Sequence, residues 1–187
     1  MRAVRLSLVL PVVVFAMAVA SCALGQAHPC KYQSIRSGEM ELATVCGDLY
    51  SGEVAFPERL RRDLRFENNG LSAVWQKNDW FYVNRHGRAV PVLTFDNGPD
   101  YFSEGLARSN NHGHVTFIDR SLRPVLVTPY TWASPFRHGR ADVCLGCVKQ
   151  QVHPGSKHTM MTGGEWRVIN RTGRVVVPTR SPQNNRR

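Results

Sequence analysis

The 187-residue chain carries 24 Lys and Arg against 14 Asp and Glu, a net charge of +10, with 42% hydrophobic residues. That length excludes a chain too small to bury its own core. The surplus of base points to acidic partners such as anionic lipid headgroups, polyanionic glycans or a negatively charged protein, although scattered charge also serves solubility alone.

The first 27 residues read as a secretory signal peptide. Arg2 and Arg5 give a positive start, Leu6 to Ala20 is an uncharged apolar run, and small residues follow. The run is shorter than the roughly 20 apolar residues of a spanning helix. Two processing routes stay open. Gly25-Gln26-Ala27 is a small-x-small site that leaves His28 as the first mature residue, whereas Val19-Ala20-Ser21-Cys22 resembles a bacterial lipobox that leaves a lipidated Cys22. Either way the chain is expected to be exported, to the periplasm or as an outer-membrane-anchored lipoprotein that meets the membrane only through an acyl chain on Cys22. Nucleic acid is not an expected partner there. Cleavage after Ala27 takes two of the 24 basic residues and none of the acidic ones, leaving +8.

Residues 28–178 are expected to form one β domain, and 179–187 a disordered basic tail. Residues 28–49 form an entry segment in which Thr44-Val45-Cys46-Gly47 lies 35 residues before Asp79-Trp80-Phe81-Tyr82, placing Cys46 on a strand position. Pro57 to Leu64 has the capacity for a helical turn. After it the chain repeats itself. Strand-like runs at Trp80-Phe81-Tyr82-Val83, Val115-Thr116-Phe117-Ile118 and Trp166-Arg167-Val168-Ile169 are each followed by a polar turn: Asn84-Arg85-His86-Gly87, Asp119-Arg120-Ser121-Leu122 and Asn170-Arg171-Thr172-Gly173. A second β-branched run closes each pair, which is a hairpin signal. Gly52, Gly87 and Leu122 stand 35 residues apart, and Gly173 follows after 51. The 16-residue delay falls in an insertion over Leu145–Thr162, predicted to be a loop on one face of the array.

These residues resemble the WG-repeat family. Trp80 to Gly87 and Trp166 to Gly173 are similar to its opening strand and turn, and Phe102-Ser103-Glu104-Gly105-Leu106-Ala107 is similar to its Phe-Ser-Glu-Gly-Leu-Ala segment. The resemblance covers about residues 44–178. It departs where Phe81 and Arg167 replace the family glycine and Val45 and Val115 replace the tryptophan. It implies an all-β array of antiparallel hairpin repeats, about four copies with a long insertion before the last, in bacterial proteins frequently linked to the envelope. It implies no shared catalytic residues, and the expected role is a binding or interaction module rather than an enzyme.

Four cysteines remain for the fold, Cys30, Cys46, Cys144 and Cys147, and an even number in an oxidising compartment reads first as two disulfides. Three pairings are open, Cys30–Cys46 with Cys144–Cys147 being the most local. Alternatively Cys144, Cys147, His153 and His158 supply four tetrahedral ligands for Zn²⁺, making the chain a small metal-binding protein, or the C-x-x-C pair is a redox dithiol. A free amino group on His28 with His112 and His114 is a further, copper-binding arrangement. Trp80 and Trp166, at the repeated position, read as packing between units. Trp75 and Trp132 lie off that position and are the candidate ligand surface. Asp96, Asp100 and Glu104 read as turn residues. No catalytic signature of Ser, His and Asp, no phosphate-binding glycine loop and no paired acid and base are present.

Overall fold

The computed structural model describes residues 28–177, which are 49% strand with one short helix, so the chain is mostly β as expected. The expected signal peptide with Cys22, Pro178 at the end of the expected β domain, and the expected tail lie outside the described residues. No helix among the described residues is long and apolar enough to cross a membrane.

The chain opens with an antiparallel pair, β1 (Cys30–Gln33) and β2 (Met40–Ala43), followed by a 3-10 turn (Leu49–Ser51) and α1 (Glu58–Asp63). The expected helical turn is therefore present, and Leu60 and Leu64 bury beneath it. A meander of β3 (Leu71–Gln76), β4 (Asp79–Asn84) and β5 (Ala89–Val92) joins the first pair in a sheet ordered β2-β1-β3-β4-β5. A small hairpin, β6 (Thr94–Phe95) and β7 (Gly98–Pro99), leads to a second meander of β8 (Ala107–Asn111), β9 (His114–Ile118) and β10 (Pro124–Val127). The third sheet holds β11 (Trp132–Ala133), β12 (Arg140–Leu145), β15 (Glu165–Asn170) and β16 (Val175–Val177). Between β12 and β15 the chain makes a separate hairpin, β13 (Val148–Gln151) with β14 (Thr159–Thr162). The insertion predicted as a loop is thus largely a two-stranded hairpin. Its residues pair with one another because no neighbouring strand completes their hydrogen bonds. Cys46, predicted on a strand, sits instead in the loop after β2, where its N–H donates to His28 O at 3.0 Å.

Local turn chemistry explains the meanders. The first two open with two-residue turns whose central residues are both left-handed, Lys77-Asn78 and His112-Gly113, the form that matches strand twist. Their second turns are built alike. The Asn84 side chain accepts from the N–H of His86 (2.9 Å) and Arg88 (3.0 Å), Asp119 from Ser121 (2.8 Å) and Arg123 (2.9 Å), and Asn170 from Thr172 (3.0 Å) and Arg174 (3.0 Å). Each such turn ends in a left-handed residue, Gly87 (φ 87°), Leu122 (φ 59°) or Gly173 (φ 80°), and Gly52 (φ 81°) shares that conformation. The spacing read from the sequence is therefore also a spacing of backbone conformation.

Three apolar clusters lie between these layers. Phe81 and Val83 of β4 enter a first with Leu49, Leu60 and Val74, while Trp80 and Tyr82 pack against a second formed by Leu71, Val92, Ala107, Ile118 and Leu122. β9 sends Ile118 into that second cluster and Val115 and Phe117 into a third, with Phe136, Val143 and Ile169. Successive side chains on a strand point to opposite faces, so a strand between two cores needs apolar residues at consecutive positions. That requirement accounts for the unbroken apolar run Trp80 to Val83, while β9 meets it with Val115, Phe117 and Ile118 around the buried Thr116.

Candidate functional site

The base of the inserted hairpin brings together Cys144, Cys147, Trp132 and Trp166 of the residues singled out from the sequence. Cys144 is the fifth residue of β12, fully buried, and its register partners are Trp132 on β11 and Trp166 on β15. Directly opposed residues share a sheet face. The two indoles accordingly meet edge to face across Cys144, with ring centres 5.2 Å apart. Trp166 is fixed further by its Nε1–H, which donates to Gly163 O at 2.8 Å.

Gly146, left-handed at φ 71°, turns the chain so that half-buried Cys147 returns beside Cys144. Gly164 closes the other side. A Cβ there would stand 2.5 Å from both Cys147 N and Leu145 O and 2.8 Å from Cys144 Sγ, so no larger residue fits. Burial, together with the adjoining Cys147 side chain, pushes the Cys144 thiol up to about 12. It is therefore protonated at neutral pH.

Cys30 and Cys46 form a disulfide with Cα atoms 6.0 Å apart, whereas Cys144 and Cys147 are free thiols beside one another. The zinc set is not brought together. His153 and His158 lie in the loop at the far end of the hairpin, four strand residues from Cys147, and a strand rises about 3.3 Å per residue. Ligands to one zinc ion lie about 2.0–2.3 Å from it. No group of three or more His, Cys, Asp or Glu suited to a metal ion occurs among the described residues. The hairpin has a distinct surface, since between Asp142 and Glu165 there is no acidic residue, while Lys149, Lys157, His153 and His158 are all present. Val148, Val152 and Met160 are exposed on it.

The other tryptophan of the candidate surface, Trp75, is half-buried on the first sheet, opposite Trp80 in register and with the Lys31 ammonium 5.0 Å from its ring. His112 and His114 face solvent in and beside the β8–β9 turn, where the His114 ring contacts Pro129 O at 3.0 Å. Glu104 is a turn residue as expected (φ 51°).

Asp100 is not merely a turn residue. It is fully buried and receives the Arg108 backbone N–H (2.7 Å) and guanidinium (Nε, 3.0 Å), while Arg108 Nη1 donates to Ala133 O (2.7 Å). The pair ties the second meander to the third sheet. A second buried carboxylate also escaped the sequence reading. Asp63 accepts from Tyr32 (2.8 Å), Ser34 (3.0 Å) and Arg36 Nε (2.6 Å). The Arg36 hydrogen bond, above all, holds its carboxyl down at about 2. Arg36 lies 27 residues from Asp63, so nothing local marks either residue. Compared with models of protein families, with curated proteins and with solved structures, the chain matches none.

Proposed function

We propose that the chain is an exported bacterial envelope protein, built as an array of WG-type repeats, that acts as a binding module rather than as an enzyme. The observation that carries this reading is the recurrence of one Asn or Asp turn with a left-handed closing residue in three successive meanders. In such an array the faces between units are consumed by packing, and recognition falls to what the stack leaves uncovered. Two kinds of surface qualify: the basic hairpin seated on Cys144 and Cys147, and the half-buried tryptophans Trp75 and Trp132. Export is supported by the Cys30–Cys46 disulfide, a bond characteristic of oxidising compartments. There Cys144 and Cys147, already adjacent, would close a second disulfide across the base of the hairpin.

Two measurements test the reading. Protein purified from whole cells of its bacterial host should contain no free thiol, and its intact mass should show either an acylated Cys22 or a chain beginning at His28. Four titratable thiols would overturn export. Immobilised glycans, anionic vesicles and envelope proteins should include at least one ligand, and failure of all three classes would overturn the binding role.

A further inference from the structure

The face of the first sheet that packs on the second core also borders a cleft of about 310 Å³, where that core ends and the β6–β7 hairpin begins. Trp80 and Tyr82 form its apolar wall with Ala73, Met40 and Pro99. Polar groups surround that wall, namely Gln33, Asn69, Arg65 and Glu67. Its volume falls at the small end of the roughly 300–1,000 Å³ typical of ligand pockets.

We infer that this cleft binds a neutral saccharide, with Trp80 as the stacking surface; the inference rests on the reading of the chain as a binding module. Three observations lead there. The aromatic wall is rigid: Trp80 is held in register between Trp75 and Val92, and the Tyr82 hydroxyl donates to Asp100 O at 2.6 Å. A preset ring stacks on the apolar face of a pyranose with little entropic cost. The polar groups offer both donors and acceptors. Gln33 spends its Nε2 on Gly38 O (2.9 Å), leaving the amide oxygen to accept, and Asn69 spends its oxygen on Leu71 N (3.0 Å), leaving the amide hydrogens to donate. Hydroxyl groups both give and accept and so match a mixed set. Finally, Arg65 and Glu67 neutralise one another across 3.6 Å, so the rim favours no ionic ligand. The excess positive charge elsewhere on the chain plays no part in this site.

The full-length chain is titrated with N,N′,N″-triacetylchitotriose, cellotriose and maltotriose, following tryptophan fluorescence and heat. At least one trimer should bind with a Kd between about 10 μM and 1 mM, a weak affinity suited to a small open cleft. Trp80→Ala should weaken it about tenfold or more. Because Trp80 also packs on the second core, Arg65→Ala and Glu67→Ala, both at exposed positions, provide the decisive variants. Each should weaken binding by roughly threefold or more at unchanged melting temperature. Val125→Ala, at an exposed position on β10 away from the cleft, should leave affinity unaltered. Failure of all three trimers to bind at about 10 mM overturns the inference. So does affinity lost in Val125→Ala yet kept in Arg65→Ala and Glu67→Ala, a result that leaves the binding-module reading standing.

Discussion

Leu122 occupies the backbone conformation that glycine occupies at positions 52, 87 and 173, and its side chain is fully buried in the second core. A left-handed leucine costs about 1–2 kcal/mol in backbone strain, whereas removing a buried leucine side chain costs about 2–5 kcal/mol. Packing therefore wins. Leu122→Gly should be net destabilising by about 1–3 kcal/mol, read as a lower urea midpoint. Gly87 has no such option. A Cβ there would lie 2.2 Å from Val54 O, and φ is 87°, so Gly87→Ala should cost at least about 2 kcal/mol. Asp63 gives a pH signature. Its carboxyl is held down at about 2 against about 3.9 in an unfolded chain. The stability it contributes is thus fully present above pH 4 and is lost as pH falls from about 4 through about 2. Asp63→Asn should flatten that acid limb in unfolding curves measured from pH 7 to pH 2, and should lower stability at neutral pH.

Among the elements, the disulfide and the inserted hairpin make opposite contributions. The Cys30–Cys46 bond closes a separation of 16 residues, which in the chain-entropy account stabilises by about 3 kcal/mol. Cys46→Ser should lose about that much in urea unfolding under non-reducing conditions. The β13–β14 hairpin adds almost nothing to the cores, as every residue of β13 is exposed. Replacing residues 148–162 by a short glycine link between Cys147 and Gly163 should shift the melting temperature by no more than about 4 °C. The sequence legibility of these elements follows the range of the forces involved. Asn84, Asp119 and Asn170 act on backbone within four residues, so their turns were readable. So was the helical turn at Pro57 to Leu64. Asp100 with Arg108, and Asp63 with Tyr32, Ser34 and Arg36, depend on contacts made only when distant segments meet, and local pattern is silent about them. The zinc set is spread apart for the same reason in reverse: nearness in sequence became separation along a hairpin. Trp80 was half readable, since its repeated position announced core packing but not the half-exposed face that borders the cleft.

For the molecule as a whole, β4 and β9 each lend side chains to two cores, so neighbouring layers share structure while distant ones do not. Substitutions across one core should couple and substitutions in separate cores should add. Double-mutant cycles test this. Val92→Ala with Ile118→Ala, both in the second cluster, should depart from additivity by more than about 0.5 kcal/mol, whereas Leu60→Ala with Phe136→Leu should add within about 0.5 kcal/mol. Calorimetric unfolding should still give one transition, because no layer can leave without uncovering part of the next.

The same layering sets how the molecule would bear load. In an antiparallel meander pulled from the chain ends, the ladder bonds are strained one pair after another rather than all at once. Starting from the carboxyl end, β16 would peel from β15 and β15 from β12, each step releasing length at low force. At the amino end the Cys30–Cys46 clip locks β1 and β2 against extension. A chain held at its amino end, as an acylated Cys22 would hold it, would therefore yield from the far end while its attached end kept its shape.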